Sequence, residues 1–245
     1  MGSVKTGILE EKLKTYYADT NTASYRDLLI EAIQSYSGKE FRKILDIGSG
    51  VGSFEDAIKP FGYEMYCIDA SDYGTQTCRQ KGYKCEQVIL KKGVPIPHND
   101  SMFSFIIMNQ VIEHMSKEDG QYYISEIVRL LEPGGVAIIK SPSRYSRIWH
   151  TDPNHIYCWK PNELKSEVAT HTSQLSKIVL QRTPLEPWMS FKYNEEIIEY
   201  WHKYNRSPII KRTVYLFMKL LDKVWFKMTG SDRLLAGANI QFVKK

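Results

Sequence analysis

Two hydrophobic periods alternate along the chain. Short, nearly unbroken apolar runs fall at 43–47, 63–69, 83–90, 103–109 and 136–142, with two more at 177–181 and 239–243. Runs of this length between turn-forming residues read as buried strands. Between them, apolar residues recur three and four apart. Residues 8–19 place Ile8, Leu9, Leu13 and Tyr16 on one face, and residues 24–36 do the same with Leu28, Leu29, Ala32, Ile33 and Tyr36. Both are predicted helices. Further helices are predicted over 73–80, after an N-cap at Ser116, and from Pro161. The Ser116 helix buries Ile124, Ile127, Val128 and Leu131 and is stopped by Glu132-Pro133-Gly134-Gly135. Strand and helix alternate throughout, which predicts an α/β fold with a parallel sheet, helices on both faces and right-handed crossovers.

The last two strands are separated by a long insertion. Its second half has a seam, Ile210, Val214, Phe217, Leu221, Val224 and Met228, with Arg212, Lys219 and Lys223 opposite. Core packing over the sheet is the expected use of this seam. Leu216, Trp225 and Phe226 fall outside it, and apolar surface left over on a basic helix suits a membrane surface or a homodimer through 209–228. The expected organisation is a helical cap at 1–40, a core at 41–183, a helical insertion or substrate lid at 184–236, and a final strand at 237–245.

One junction carries the chemistry. Lys43-Ile44-Leu45-Asp46-Ile47 runs into Gly48-Ser49-Gly50-Val51-Gly52-Ser53-Phe54, a strand ending in a tight turn and then a helix. Glycines at 48, 50 and 52 permit positive φ and let backbone approach a ligand with no Cβ between them. A nucleotide-like cofactor suits such a turn. The dinucleotide spacing would put its third glycine at position 53, where Ser53 stands. The next strand, Tyr63 to Asp69, ends in a carboxylate able to accept both hydroxyls of a ribose.

Composition narrows the class without choosing the substrate. The 245 residues suffice for one large α/β domain and a small accessory piece. The net charge of +5 is mild and fits solvated lysines on a soluble protein. Cys67, Cys78, Cys85 and Cys158 form no C-x-x-C pair, so neither a metal site nor a disulfide frame is expected, and a reducing, cytoplasmic location is. No signal-peptide pattern and no run near ~20 apolar residues occurs, which leaves only peripheral membrane contact in view.

Leu45-Asp46-Ile47 before G-x-G-x-G, together with the strand-end Asp69, resembles the first motifs of the class I S-adenosylmethionine-dependent methyltransferases. Two more blocks are similar to that family, within a span of roughly 16–182. Pro95-Ile96-Pro97 through Phe103 to Val111-Ile112-Glu113-His114 resembles its P-x-P…F-D-x-V…V-L-E-H region. Leu131-Glu132-Pro133-Gly134-Gly135 followed by Pro142 resembles its L-x-P-G-G…P segment. Ser104 stands where the family usually has Asp, and no acid stands near Ile89 to meet the adenine. The segment 152–164 resembles the D-P-x-H…P-x-x-L stretch of type 11-like members acting on small molecules and glycans.

The resemblance implies a Rossmann-like seven-stranded sheet, mostly parallel with an antiparallel last strand, and S-adenosylmethionine as methyl donor, S-adenosylhomocysteine being the product. It implies cofactor contacts from Asp46, Gly48, Ser49, Gly50, Gly52, Asp69, Ala70, Leu90, Asn109 and Gln110. Tyr16, Asp152, His155 and Trp159 are the expected substrate residues. A base is needed where the acceptor is a hydroxyl or amine, and His155, then His114 and His150, are the candidates. His114 reads first as a structural hydrogen-bonder at a helix start. The expected acceptor is a small molecule, glycan or lipid-linked intermediate, methylated at oxygen, with no nucleic-acid partner. An RNA or protein methyltransferase and a non-catalytic partner subunit of the same fold are the alternatives.

Overall fold

The computed structural model describes residues 22–146, 149–150, 152–184, 208–230 and 235–245. The predicted helix at 8–19, with Tyr16, lies outside the described residues. The described elements are α1 (Thr22–Ser35), β1 (Lys43–Ile47), α2 (Ser53–Ile58), β2 (Glu64–Asp69), α3 (Asp72–Gln80), β3 (Lys84–Gln87) and β4 (Phe103–Asn109). After these come α4 (Lys117–Leu130), β5 (Leu131–Pro142), α5 (Pro161–Ala169), β6 (Leu175–Pro184), α6 (Pro208–Thr229) and β7 (Leu235–Lys244).

The strands form one sheet in the order β3-β2-β1-β4-β5-β7-β6. Neighbours from β3 to β5 pair in parallel, and β7 runs antiparallel between β5 and β6. This is the expected Rossmann-like sheet with its reversed last strand. Order reverses at β1/β4, so the loops leaving the carboxyl ends of β1, β2 and β4 diverge there and open a crevice.

β1 and β4 lie at the centre because both of their faces are apolar. In β4 all residues from Phe103 to Met108 are buried. One face joins Leu45, Ile106 and Met108 to Tyr123, Ile124 and Ile127 of α4. The other joins Ile44, Phe105 and Ile107 to Leu29 of α1 and Phe54 and Ala57 of α2. Ser116 caps α4 as predicted, its hydroxyl accepting from the Asp119 N–H at 3.1 Å. Ser104 is far from the crevice: its hydroxyl donates to the Lys43 carbonyl at 2.8 Å and accepts from the Arg42 N–H at 2.9 Å, tying the starts of β1 and β4 together.

The structure corrects several boundaries. β3 ends at Gln87, because an edge strand beyond the reach of β2 has no further ladder to join, and Ile89 is 70% exposed. Helix α4 stops at Leu130, and the Pro-Gly-Gly segment lies within β5. The larger correction concerns α6. The predicted seam is exposed at Phe217, Leu221, Val224 and Met228, and the inward residues are Met218 and Asp222. The reason is a polar anchor. The Arg182 guanidinium of β6 forms two 2.9 Å bonds to the Asp222 carboxylate and stacks 4.2 Å from the Phe226 ring. That fork–fork pair fixes the rotation of the helix.

Phe105 is fully buried and packs edge-on against Phe54 with ring centroids 6.3 Å apart. Phe105→Ala should therefore cost about 3–5 kcal/mol in urea unfolding, whereas Ile33→Ala on the exposed side of α1 should cost under about 1 kcal/mol. Equal losses would contradict the packing described.

Candidate cofactor and active site

The turn after β1 is built on the neighbouring strand. The Gly48 and Ser49 N–H groups both donate to the Ile68 carbonyl, at 2.8 and 3.2 Å. The Gly50 N–H donates to one Asp69 carboxylate oxygen and the Ser71 N–H to the other, each at 2.8 Å. Asp69 thus ties the β1 turn to the β2–α3 turn and still has lone pairs for other donors. Burial raises its pKa, against the two N–H bonds that lower it.

Close approach explains the glycines. Gly48 has φ +82°, and a Cβ there would meet Val111 Cγ2 at 2.2 Å. Sequence reading missed Gly74, at which a Cβ would stand 2.5 Å from the Gly50 carbonyl and 3.1 Å from the Asp69 carboxylate. α3 can close over the turn only because that position lacks a side chain; a glycine inside a predicted helix was the available signal.

Gln110 continues the crevice. It holds φ +59°, an uncommon conformation for a residue with a side chain, and its amide oxygen is buried with no hydrogen-bond partner. An unsatisfied buried acceptor beside a close-packed glycine turn at the sheet's switch point fits the S-adenosylmethionine expected here. Asn109 is half-buried at the end of β4, Leu90 flanks the core, and Ala70 is exposed at the rim. Asp46 points into the core below the turn, only 5% exposed, hydrogen-bonded to Glu55. Two carboxyl groups can share a hydrogen bond only if one is protonated, and burial raises both.

A second group follows β4. Glu113, His114 and His155 place one donor atom each within 4.8 Å of one another. Glu113 lies in a short 3₁₀ turn, is fully buried, and has neither carboxylate oxygen hydrogen-bonded. Its backbone carbonyl accepts from the Ile156 and Tyr157 N–H groups at 2.7 and 3.2 Å, which brings the 152–160 segment against the turn. Burial, helped by Asp152, pushes the Glu113 carboxyl up to about 8, so it is largely protonated at neutral pH.

The two imidazoles are oriented by carbonyls. His114 Nδ1 lies 3.3 Å from the Asn154 oxygen and His155 Nδ1 2.9 Å from the Trp149 oxygen. A carbonyl only accepts, so in the neutral form of either ring Nδ1 carries the hydrogen and Nε2 has the lone pair. The rings sit 4.7 Å apart, and Trp149 stacks on His155 at 4.9 Å. Burial and then His155 lower the His114 pKa, which keeps that ring neutral. Such a set can move a proton, and its donor atoms are also of a kind that holds a divalent cation.

Not every predicted residue joins it. His150 is exposed and outside the three-residue group. Trp159 is 3% exposed and belongs to the core, with a Cβ on Gly120 standing 2.8 Å from its ring; its size drew it inward. Asp152 lies close enough to raise Glu113 and His114 and accepts from the Asn154 N–H at 2.9 Å. Glu113 and Trp149 were not singled out from the sequence, since burial of an acid and ring stacking leave no periodic signal.

Two outcomes follow. Asp69→Ala should weaken S-adenosylmethionine binding by about 10- to 100-fold in calorimetry, the loss of charge-assisted bonds; unchanged affinity would place the cofactor elsewhere. Glu113 holds a proton up to about 8 when folded but only to about 4.5 when unfolded. Its contribution to stability is full below the lower value and is lost as the pH rises through the higher one, at up to about 1.4 kcal/mol per pH unit. Urea unfolding in EDTA should show that slope, and Glu113→Gln should flatten it.

A family model described as a methyltransferase domain matches residues 18–202. A ubiquinone biosynthesis O-methyltransferase of Rickettsia typhi is 28% identical over 126 residues, 50% of this chain and 50% of that protein. An uncharacterised protein of Methanocaldococcus jannaschii is 33% identical over 121 residues, 49% and 53% of the two chains. The chain thus spans about half the length of the curated relatives it matches. Among solved structures, a SAM-dependent methyltransferase from Archaeoglobus fulgidus superposes with TM-score 0.61 at 18% identity, covering 97% of this chain and 98% of that one. Phosphoethanolamine N-methyltransferase 2 of Haemonchus contortus, solved with S-adenosyl-L-methionine, gives 0.56 at 14% identity over 89% and 52%. The family match runs from the approach to α1, across the glycine turn and its Asp69 tie, to beyond β6, and on that ground the chain belongs to the methyltransferase-domain family, with the fold that the Archaeoglobus fulgidus enzyme shares.

Proposed function

We propose that the chain methylates a hydroxyl oxygen of a small-molecule, glycan or lipid-linked acceptor, with His155 or His114 receiving the proton. The observation that carries this reading is the pair of imidazoles, each with Nδ1 committed to a carbonyl and Nε2 left free. A hydroxyl must lose its proton as the new carbon–oxygen bond forms, and a neutral imidazole at hydrogen-bond distance serves that need near neutral pH. The name of the Rickettsia typhi relative, an O-methyltransferase, is consistent with oxygen as the accepting atom.

S-adenosylmethionine supplies a methyl group already activated on a sulfonium. This chain's residues would then hold, orient and exclude water. The Gly48–Gly52 turn, Asp69 and Gln110 hold the cofactor side. His114, His155 and Trp149 form the acceptor side, joined to it through the backbone from Gln110 to Glu113. Protonated Glu113, against both histidines, keeps a negative charge out of the place where the acceptor's proton must arrive.

The lipid-linked form of the acceptor draws on α6. Leu216, Phe217, Leu220 and Met228 are more than half exposed, and Lys219, Lys223 and Lys227 lie along the same helix. No helix among the described residues is long and apolar enough to cross a membrane. A surface helix of this kind suits peripheral contact with a cytoplasmic membrane face; a homodimer would cover the same residues.

The test is transfer of labelled methyl from S-adenosylmethionine into glycan, lipid, RNA and protein fractions. Label in the glycan or lipid fraction supports the proposal, and label confined to RNA or protein overturns it. His155→Asn should lower kcat by about 10²–10⁴-fold with cofactor affinity unchanged. If His155→Asn and His114→Asn both retain full kcat, neither ring is the base.

A further inference from the structure

Three cysteines that are scattered in the sequence meet in the fold. Cys67 of β2, Cys78 of α3 and Cys85 of β3 are 0%, 0% and 4% exposed, and their sulfurs all lie within 4.8 Å of one another. Parallel register sets this up: Asp46, Cys67 and Cys85 are successive partners across β1, β2 and β3 and so share one face of the sheet. Cys78 descends on them from the last turn of α3. Its thiol donates to the Gly50 carbonyl at 3.5 Å, and the Ser49 hydroxyl lies 3.7 Å from Cys78 Sγ and 3.8 Å from Cys85 Sγ. The cluster is therefore the floor of the cofactor turn, on the opposite face of the sheet from Glu113, His114 and His155.

The same floor holds a second, independent anomaly. Glu55 of α2 is fully buried against the Asp46 carboxyl, and no N–H or hydroxyl donor reaches either of its carboxylate oxygens. The ionisable groups that act on it and on Asp46 are one another, Asp56, Asp69 and Cys78, all of them acids. Buried acids gathered in a dry pocket are stabilised by protonation or by a cation, and three sulfurs select a soft one.

We propose that Cys67, Cys78 and Cys85 bind a single thiolate-preferring divalent ion, zinc or one of like chemistry, as a structural site beneath the cofactor turn. Sulfurs around a tetrahedral zinc at about 2.3 Å stand about 3.8 Å apart, so the observed cluster closes by side-chain shifts of about 1 Å. The three thiols release their protons on binding. Because the site is buried, the ion enters as β2, α3 and β3 come together, and binding is coupled to folding. The ion braces Ser49 and Gly50 and takes no part in methyl transfer, so the site stands whichever acceptor is methylated.

The whole chain, unfolded under reducing conditions and refolded with zinc or with cobalt, provides the test. About one ion per chain should remain after dialysis against EDTA and leave when a mercurial blocks the thiols. The cobalt form should show sulfur-to-cobalt charge-transfer absorption in the near ultraviolet. Cys78→Ser and Cys85→Ser should lose the ion, and Cys158→Ser, outside the cluster, should keep it. Should the cluster variants fail to fold, the cobalt spectrum of the unaltered chain decides alone. A folded chain that retains no metal and shows no charge-transfer band overturns the proposal, as does a disulfide between any two of the three cysteines found by peptide mapping.

Discussion

One carboxylate ties together the parts that make the crevice. Asp69 accepts from Gly50 on the first loop and from Ser71 on the second, one oxygen to each, and so sets the spacing of two loops that both leave the sheet at the strand ends. The tie needs α3 to approach within reach of the Gly50 carbonyl, which needs Gly74 to lack a Cβ. It also needs the β1 turn to lie flat against β2, which the Ile68 carbonyl achieves by taking two N–H groups. A residue expected to hold a ribose is thus also the residue that builds the wall on which the ribose would rest.

How far these features could be read from the sequence follows from where each one gets its cause. β1 and β4 are central strands with both faces apolar, so an unbroken hydrophobic run located them, and the Gly48–Gly52 turn announced itself because a strand cannot continue through alternate glycines. The edges were harder. β3 ends where its only neighbour ends, which depends on β2 and not on Val88, Ile89 or Leu90 themselves. The orientation of α6 was misread for a related reason. Periodicity ranks faces by hydrophobicity, whereas a bidentate pair with Arg182, 40 positions away, turned the Asp222 face inward. The expectation that Trp159 meets substrate rests on the resemblance of its segment to a family pattern, which carries no sign that the absence of a side chain at Gly120 opens a slot for the ring to fill.

The site's histidines were legible and its acid was not. His114 and His155 could be named from a motif resemblance, but the character of the group comes from Glu113, whose carboxyl has lost water without gaining a donor. Burying a carboxyl in that state is costly unless it stays protonated, and stable packing alone has no use for it. The same holds for Glu55 on the other face. Two fully buried acids that no N–H or hydroxyl donor reaches, among the described residues, each within a few residues of the cofactor turn or of the strand end beside it, mark places where composition serves something other than core stability.

Those two acids also divide the labour of the sheet. Glu113 follows β4 and belongs with the histidines on the α4 side; Glu55 sits on α2 and belongs with the thiols on the α1–α3 side. Between them lies a single layer of backbone, and the point where both sides bear on it is Gly48, with Val111 above and the Ser49–Gly50 step resting on Cys78 and Cys85 below. A packed interior transmits displacement because it has no slack to absorb it. On the proposed reading, in which His114 and His155 face the acceptor, a shift of the Val111–His114 turn would be taken up by the glycine turn, and how much it yields would depend on how firmly the thiol floor is held. Positioning of the methyl donor would then be set from the face opposite the one proposed for the acceptor.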